Sequence, residues 1–297
     1  MKVFITGGTG FVGREIVRKV CARGMSVRLL ARSPGSASKL ASLNKCVETI
    51  SGDIFSRAAL DEGIRGCDAV IHLVGILKEI GVQTYERVHF EGACNVIDAA
   101  VRAGAGHFIL MSAENTRADA PSRYHKTKFQ AEERLKESGL RYTIIRPSVM
   151  FGPDDRNFNE LAGVIRAAPV LPVIGDGRYI WQPVWVEDVA ELFAATLMNE
   201  RAFGKTYEMR GPERFTFDEI LDTLMRVMNI RRPKAHLPAG LMRPLVSLMG
   251  LAPSIAPITP ELMKMLVDKT ESPPENVSVD FPLKLKRLED GIREYLR

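Results

Sequence analysis

The segment TGGTGFVG, residues 6–13, decides the fold expected for this chain. It follows the short apolar run Val3–Thr6 and opens the helix-patterned segment Phe11–Arg23. Its glycines satisfy the spacing GxGxxG, which permits a tight turn, close approach of the backbone to a diphosphate, and close packing of the helix on the strand. Free N–H groups at the start of the helix would then face the phosphates. The sequence of strand, turn and helix indicates dinucleotide binding rather than a purely structural turn.

The first half of the chain alternates short β-branched and apolar runs with longer segments of helical period. Buried parallel strands joined by crossover helices produce this alternation. The predicted strands are Val3–Thr6, Val27–Ala31, Cys46–Ile50, Ala69–Val74, Phe108–Ser112 and Tyr142–Arg146. The predicted helices between them are Phe11–Arg23, Ser36–Leu43, Ser56–Ile64, Tyr85–Ala103 and Arg123–Ser138.

These elements predict an α/β fold with a doubly wound parallel sheet of the Rossmann type. We expect a dinucleotide-binding domain over residues 1–150. A smaller, mainly helical part over residues 151–297 would lie on the substrate side. In an alternative division of the chain, some elements around residues 180–210 belong to the main domain.

Composition excludes several classes of protein. The 297 residues are 45% hydrophobic and carry 41 basic against 36 acidic side chains, which excludes a disordered or collagen-like chain. The net charge of +5 is small, and the charged residues are interspersed along the chain. No interleaving of basic and aromatic residues favours a nucleic-acid partner. Cys21, Cys46, Cys67 and Cys94 have no metal-site spacing, so we expect no metal, reduced thiols and a cytoplasmic location. We also expect neither a secretion signal nor a membrane-spanning helix.

The second predicted strand ends in Leu30-Ala31-Arg32-Ser33, where an NAD site would carry a carboxylate for the adenosine ribose. Arg32 stands there instead, and its guanidinium suits a 2′-phosphate. The sequence therefore favours NADP over NAD, although an exposed loop arginine is the alternative. Asp53, after the third strand, is a candidate acceptor for an adenine amino group or an N-cap for the next helix.

Further motifs give these elements a family resemblance. TGGTGFVG, HLVG at residues 72–75, Ser112 at the end of the fifth strand, and YHKTK at residues 124–128 resemble the short-chain dehydrogenase/reductase family, and within it the extended and atypical members. RPSVMFGP at 146–153 and WQPVWVEDVA at 181–190 are similar to the NAD(P)-binding subunit group of respiratory complex I.

A Ser–Tyr–Lys set is predicted as the catalytic site. Tyr124 and Lys128 share one helical face, and a nearby ammonium would lower the phenol pKa, which makes Tyr124 a usable acid or base. Ser112 would hydrogen-bond the reacting oxygen, and Lys128 would also bind the nicotinamide ribose. The predicted cofactor-binding residues are Gly7, Thr9, Gly10, Phe11, Val12, Gly13, Arg32, Asp53, Ile54, Leu73, Val74, Gly75, Lys128, Pro147 and Val149.

Two parts of the sequence depart from the family pattern. His89 stands where many members have asparagine, and we expect a helix-surface histidine there rather than a catalytic one. Trp181 and Gln182 replace the arginine and acidic residue typical of sugar-nucleotide enzymes, which weakens a nucleotide-sugar substrate.

The favoured function is an NAD(P)-dependent oxidoreductase or epimerase acting on a small alcohol or carbonyl. The alternative is a non-catalytic NADPH-binding assembly protein of a respiratory membrane complex, for which Leu241–Ile258 would dock on a membrane or partner. An internal lid helix is the other interpretation of that segment, and the one that we favour. A redox sensor is less favoured, since it needs neither Tyr124 nor Lys128. A homodimer is expected only by analogy with other members of the family.

Overall fold

The structure is a computed structural model that describes residues 1–33, 35, 40, 42, 45–238, 261, 264 and 277–296. In chain order the strands are β1 (Lys2–Thr6), β2 (Ser26–Ala31), β3 (Val47–Ser51), β4 (Ala69–His72), β5 (His107–Met111), β6 (Tyr142–Pro147), β7 (Met150–Phe151), β8 (Leu171–Ile174), β9 (Ile180–Trp181), β10 (Val184–Trp185), β11 (Lys205–Met209), β12 (Phe215–Thr216) and β13 (Lys234–Leu237).

The α-helices are α1 (Phe11–Ala22), α2 (Arg57–Ile64), α3 (Gly92–Ala103), α4 (Arg123–Lys136), α5 (Asn157–Ala167), α6 (Val186–Thr196), α7 (Phe217–Val227), α8 (Val277–Asp280) and α9 (Leu288–Arg293). A π-helix, Glu86–Glu91, runs directly into α3. The chain divides into two compact units, the first of which comprises Met1–Pro147, Val189–Met209 and Ser272–Leu283.

Unit 1 is built on a seven-stranded sheet with the order β11-β6-β5-β4-β1-β2-β3. Every neighbouring pair in it is parallel. The strand order reverses between β1 and β4, and the carboxyl ends of strands at such a point form the ligand crevice of doubly wound folds. The predicted Rossmann architecture is therefore confirmed.

Burial explains why these runs become central strands. Val3, Phe4 and Ile5 of β1 are fully buried, as are Ala69, Val70 and Ile71 of β4. A strand covered by helices on both faces excludes water from every side chain, so continuous apolar runs are stable there. The carboxyl ends of β1 and β4 are tied together by Thr6 Oγ1 and His72 Nδ1, which lie 2.7 Å apart.

Element bounds follow the predictions closely, with informative exceptions. The predicted helix Ser36–Leu43 lies outside the described residues. The predicted helix Tyr85–Ala103 divides into the π-helix and α3. Strand β11, within the range 180–210, pairs with β6 at the edge of the large sheet.

The prediction of four reduced thiols is wrong for two of the cysteines. Cys21 of α1 and Cys46, which precedes β3, form a disulfide with their Cα atoms 6.0 Å apart. Helix α1 and the start of β3 bring together two residues that spacing in the sequence left unrelated. Cys67 and Cys94 are free thiols.

Unit 2 comprises Ser148–Asp188, Arg210–Glu271 and Lys284–Arg297. Its described elements pair as three small sheets, β7 with β10, β9 with β12, and β8 with β13. Helices α5, α7 and α9 share an apolar core with Phe151 and Trp185. None of the helices in the described part of the chain combines the length and the hydropathy that a membrane span requires. The segment Leu241–Ile258, interpreted from sequence as an internal lid helix or a docking segment, lies outside the described residues.

Candidate functional site

The glycine loop between β1 and α1 has the shape that a diphosphate site requires. Gly7 has a φ of +77°, and an added Cβ would lie 3.1 Å from the Leu73 and Val74 backbone. A Cβ at Gly13 would overlap the Gly7 carbonyl oxygen. Glycine is required at both positions, because the first needs left-handed backbone and the second lets the helix meet the loop.

The first turn of α1 is open to an anion. Its N-cap is Gly10, which supplies no side-chain cap, and no acidic residue lies in the turn. Gly10 is exposed and Thr9 and Phe11 are half-buried, whereas Val12 belongs to the core. Uncapped N–H groups at the positive end of a helix bind phosphate well. The loop therefore fits the diphosphate of a dinucleotide.

The candidate adenosine-binding residues differ in environment. Arg32 is exposed and has no ion pair or hydrogen bond to any described residue. The Asp53 Oδ1 accepts a hydrogen bond from the Phe55 N–H at 2.8 Å. Asp53 does not cap α2, so that alternative is wrong, since Ser56 is the N-cap and accepts from the Ala59 N–H. Ile54 is buried and packs against Gly92.

The loop after β4 joins the glycine loop to helix α4. Leu73 is buried and contacts the position of Gly7, while Gly75 is exposed. A Cβ added to Gly75 would lie 3.4 Å from Lys128 Nζ and 3.6 Å from His89 Nε2. The loop thus places exposed backbone between the predicted cofactor site and the predicted catalytic lysine.

Ser112 and Lys128 line one small cavity of about 10 Å³. The other residues that line it are His72, Val74, His89, Leu110, Met111 and Ala131. The buried Ser112 Oγ donates to Thr116 Oγ1 at 3.3 Å. Lys128 is also buried, and its Nζ donates to the Met111 carbonyl oxygen at 3.1 Å. Burial lowers the pKa of Lys128 to about 8, because the charged form loses water.

Tyr124 lies one helical turn before Lys128, with the ammonium 5.8 Å from its ring centroid. The prediction of a lowered phenol pKa is wrong for this structure. Burial, with a smaller effect of Tyr85, holds the pKa of Tyr124 well above its usual range. The ammonium is turned to Met111, and a buried phenolate has little other stabilisation.

The structure also contradicts the surface placement expected for His89. This histidine is buried, and its ring meets that of Tyr124 edge-on with centroids 5.0 Å apart. Burial and the nearby Lys128 hold the pKa of His89 well below its usual range. Tyr85, four residues earlier, also contacts Tyr124 edge-on. This Tyr-x-x-x-His spacing in the sequence was the available signal, because residues four apart share a helical face.

The last two predicted cofactor residues fall in different units. Pro147 ends β6 in unit 1, where its carbonyl oxygen accepts from the Glu114 N–H at 3.0 Å. Val149 belongs to unit 2, where its carbonyl accepts from the Val184 N–H at 3.0 Å. Among the described residues, no cluster of histidine, cysteine or carboxylate side chains suits a metal ion.

Comparison with known proteins supports the cofactor fold. The sequence model of the family described as NAD(P)H-binding matches residues 7–166, more than half of the chain. This chain belongs to the NAD(P)H-binding family. The expected resemblance to extended short-chain dehydrogenase/reductases and to complex I subunits is confirmed as well.

Two curated relatives and one solved structure indicate the range of this family. A mitochondrial NADH-ubiquinone oxidoreductase 40 kDa subunit of Neurospora crassa is 28% identical over 84% of the NAD(P)H-binding chain and 66% of its own length. A ceramide reductase of Caulobacter vibrioides is 33% identical over 65% of the chain and 60% of its own length. The chain thus spans less than two thirds of either relative.

The solved structure is UDP-glucose 4-epimerase of Thermotoga maritima. It aligns with 100% of the NAD(P)H-binding chain and 97% of its own, with a TM-score of 0.77 and 16% identity. At that identity the likeness supports the fold alone.

Proposed function

We propose that this chain is an NADP(H)-dependent oxidoreductase or epimerase that interconverts an alcohol and a carbonyl on a small-molecule substrate. One observation carries the proposal. The loop after β4 packs its Leu73 and Val74 backbone against Gly7 and places the exposed Gly75 beside Lys128. A dinucleotide on the glycine loop would therefore extend toward Ser112, Tyr124 and Lys128. The relative named as a ceramide reductase supports carbonyl reduction.

The roles of the three side chains follow from their chemistry. Ser112 would orient the substrate oxygen, and Tyr124 would give or take its proton. Because burial disfavours the phenolate, the protonated Tyr124 is the resting form, which suits a proton donor to a carbonyl. Lys128 would bind ribose hydroxyls and stabilise negative charge on Tyr124. A bound nicotinamide supplies the hydride chemistry.

The test is Tyr124→Phe, assayed by NADPH consumption with a panel of aliphatic, aromatic and lipid ketones. We expect a loss of about 10²–10⁴-fold in kcat with an active ketone, since general acid catalysis contributes that much. NADPH affinity should change little. Tyr142→Phe, at the start of β6 away from the cavity, is the matched control. Wild-type turnover by Tyr124→Phe would remove this residue from the mechanism.

The preference for NADP(H) is a separate part of the proposal, supported by the Arg32 guanidinium, which is exposed and has no partner in the part of the chain that the structure describes. Charge-assisted hydrogen bonds to a 2′-phosphate contribute about 1.5–3 kcal/mol before solvent and salt weaken them. We expect NADP(H) to bind roughly tenfold more tightly than NAD(H). Arg32→Ala should remove most of that difference and leave the Kd for NAD(H) nearly unchanged.

Calorimetric titration with both cofactors measures this preference. Arg65→Ala is the matched control, because Arg65 is also exposed but follows α2. Equal wild-type affinities, or a preference that survives Arg32→Ala, would show that Arg32 is only a surface charge.

A second function is favoured by the complex I relative. In this second function, the chain binds NADPH as an assembly or structural component and catalyses no reaction. Copurification with a membrane complex, together with NADPH binding but no turnover by the wild type, would support this function over the first.

A further inference from the structure

His89 connects two parts of the candidate site that are far apart in sequence. It lies in the π-helix Glu86–Glu91, a rare helical form that occurs frequently at functional sites. On one side its Nε2 lies 3.0 Å from the Ile76 nitrogen, in the loop after β4. On the other side its Nδ1 lies 3.1 Å from Thr127 Oγ1, on α4 between Tyr124 and Lys128.

The hydrogen-bond partners determine the form of the ring. The Thr127 hydroxyl donates to the carbonyls of Arg123 and Tyr124, at 3.0 Å each, so its lone pairs are left to accept from Nδ1–H. Nε2 then accepts from the Ile76 N–H. Nε2 also lies 3.1 Å from the Ile76 carbonyl oxygen, but donation there would leave the Ile76 N–H without an acceptor.

The surroundings oppose a second proton on the ring. The titratable groups that face His89 are Lys128 and Tyr124 on α4, His72 on β4, and Tyr85 on the same helical segment. Among these only Lys128 carries a charge near neutral pH, and it is positive. A protonated imidazole would also lose its acceptor for the Ile76 N–H.

Tyr85 makes a parallel connection. Its hydroxyl donates to the Leu77 carbonyl at 2.8 Å, and its N–H donates to Glu79 Oε1 at 2.9 Å. Its ring also packs edge-on against Tyr124. The side chains at 85 and 89 therefore both connect the loop from Gly75 to Glu79 with Tyr124.

We infer that His89 is a positioning residue, a neutral Nδ1–H imidazole that holds the cofactor-facing loop at Gly75–Ile76 against α4. It does not relay protons, because Nε2 accepts from the Ile76 peptide N–H, which releases no proton near neutral pH. The inference rests on the proposed cofactor site, since its effect is to keep the Gly75 backbone opposite Lys128. A flexible loop there would weaken cofactor binding before any chemistry occurs.

Three variants test this role without an activity assay. His89→Phe keeps an aromatic ring but removes both hydrogen bonds. His89→Gln retains an acceptor at the Nε2 position, and Thr127→Val removes the contact to α4. His107→Phe is the matched control, because His107 is a buried histidine of the same unit whose Nε2 bonds Thr143 instead.

The readouts are amide hydrogen exchange at Ile76 and the Kd for NADPH from fluorescence titration. We expect His89→Phe to speed exchange at Ile76 and to weaken NADPH binding, each by about tenfold. Gln should restore both to within about threefold, and His107→Phe should leave both unchanged. Wild-type exchange and Kd in a folded His89→Phe would overturn the inference.

If His89→Phe fails to fold, nitrogen NMR of the wild-type protein tests the inference independently. Selectively labelled histidines should show His89 as a neutral Nδ1–H tautomer at neutral pH, because burial and Lys128 lower the pKa of the ring. A protonated ring at neutral pH, or the Nε2–H tautomer, would overturn the inference. These results do not depend on Tyr124→Phe, so the catalytic proposal and this one can fail separately.

Discussion

At the scale of single residues, Lys128 shows how burial sets a working pH range. Its ammonium is buried and donates to the Met111 carbonyl, and its pKa falls to about 8. Below that pH the side chain is charged, and above it the charge is progressively lost. Any contact that needs the ammonium therefore weakens as the pH rises through 8.

This gives a pH prediction for cofactor binding. The Kd for NADPH should be lowest near pH 7 and should rise as the pH passes through about 8, because Lys128 loses its proton over that range. Fluorescence titrations from pH 7 to 10 measure the profile. Lys128→Met should bind more weakly and show no such rise, while Lys126→Met, an exposed lysine on the same helix, should follow the wild type. An identical profile in Lys128→Met would assign the titration to another group.

At the scale of elements, helix α4 presents its functional and structural groups on one buried face. Tyr124, Lys128 and Glu132 follow at intervals of four residues and are all buried. Glu132 accepts two hydrogen bonds from the Arg146 guanidinium of β6, at 2.9 and 2.6 Å. Glu208 of β11 lies 3.7 Å from the same guanidinium. The charges thus anchor helix α4 to the sheet.

Removal of Glu132 should destabilise the fold strongly. Glu132→Ala leaves the half-buried Arg146 with one distant partner, and breaking a buried ion pair costs about 3–5 kcal/mol. Glu133→Ala, on the exposed side of the same helix, should change the free energy of unfolding by less than about 0.5 kcal/mol. Urea denaturation of both variants is the measurement. A cost below about 1 kcal/mol for Glu132→Ala would show that Arg146 is rehydrated or is neutralised by Glu208.

At the scale of the whole molecule, unit 1 is assembled from separated segments of the chain. Strand β11 pairs with β6 along five residues, and Glu208 stands opposite Arg146 in that register. Helix α6 contributes Val189, Leu192 and Phe193, which are fully buried. A fragment ending near residue 150 would expose the edge of β6 and lose this apolar surface.

A fragment of residues 1–150 should therefore fail to fold cooperatively, although it holds the whole glycine loop. Truncation of one buried side chain of this size lowers the free energy of unfolding by about 2–5 kcal/mol. Whole domains have a free energy of unfolding of only about 5–15 kcal/mol. Thermal unfolding by circular dichroism and NADPH titration, with the full chain alongside, measure this. Cooperative unfolding and NADPH binding by the fragment would contradict the prediction.

Much of unit 1 was predictable from residue patterns. Short runs of mostly β-branched and apolar residues, such as Ala69–Val74, identify strands buried on both faces, and the helical period identifies the crossovers between them. The glycine loop was predictable because its requirements are local, namely a tight turn at Gly7 and close packing at Gly13. The spacing of Tyr124 and Lys128 was equally local, since one helical turn separates them.

Tertiary structure decided the environments of those same residues. The burial of His89 depends on Thr127, 38 residues away, and the raised pKa of Tyr124 depends on how much water the packed elements exclude. The Cys21–Cys46 disulfide and the return of β11 to the sheet also join distant segments. Local periodicity reports which face of an element is apolar. Protonation and long-range pairing follow from which elements meet, and that is determined only when the whole core packs.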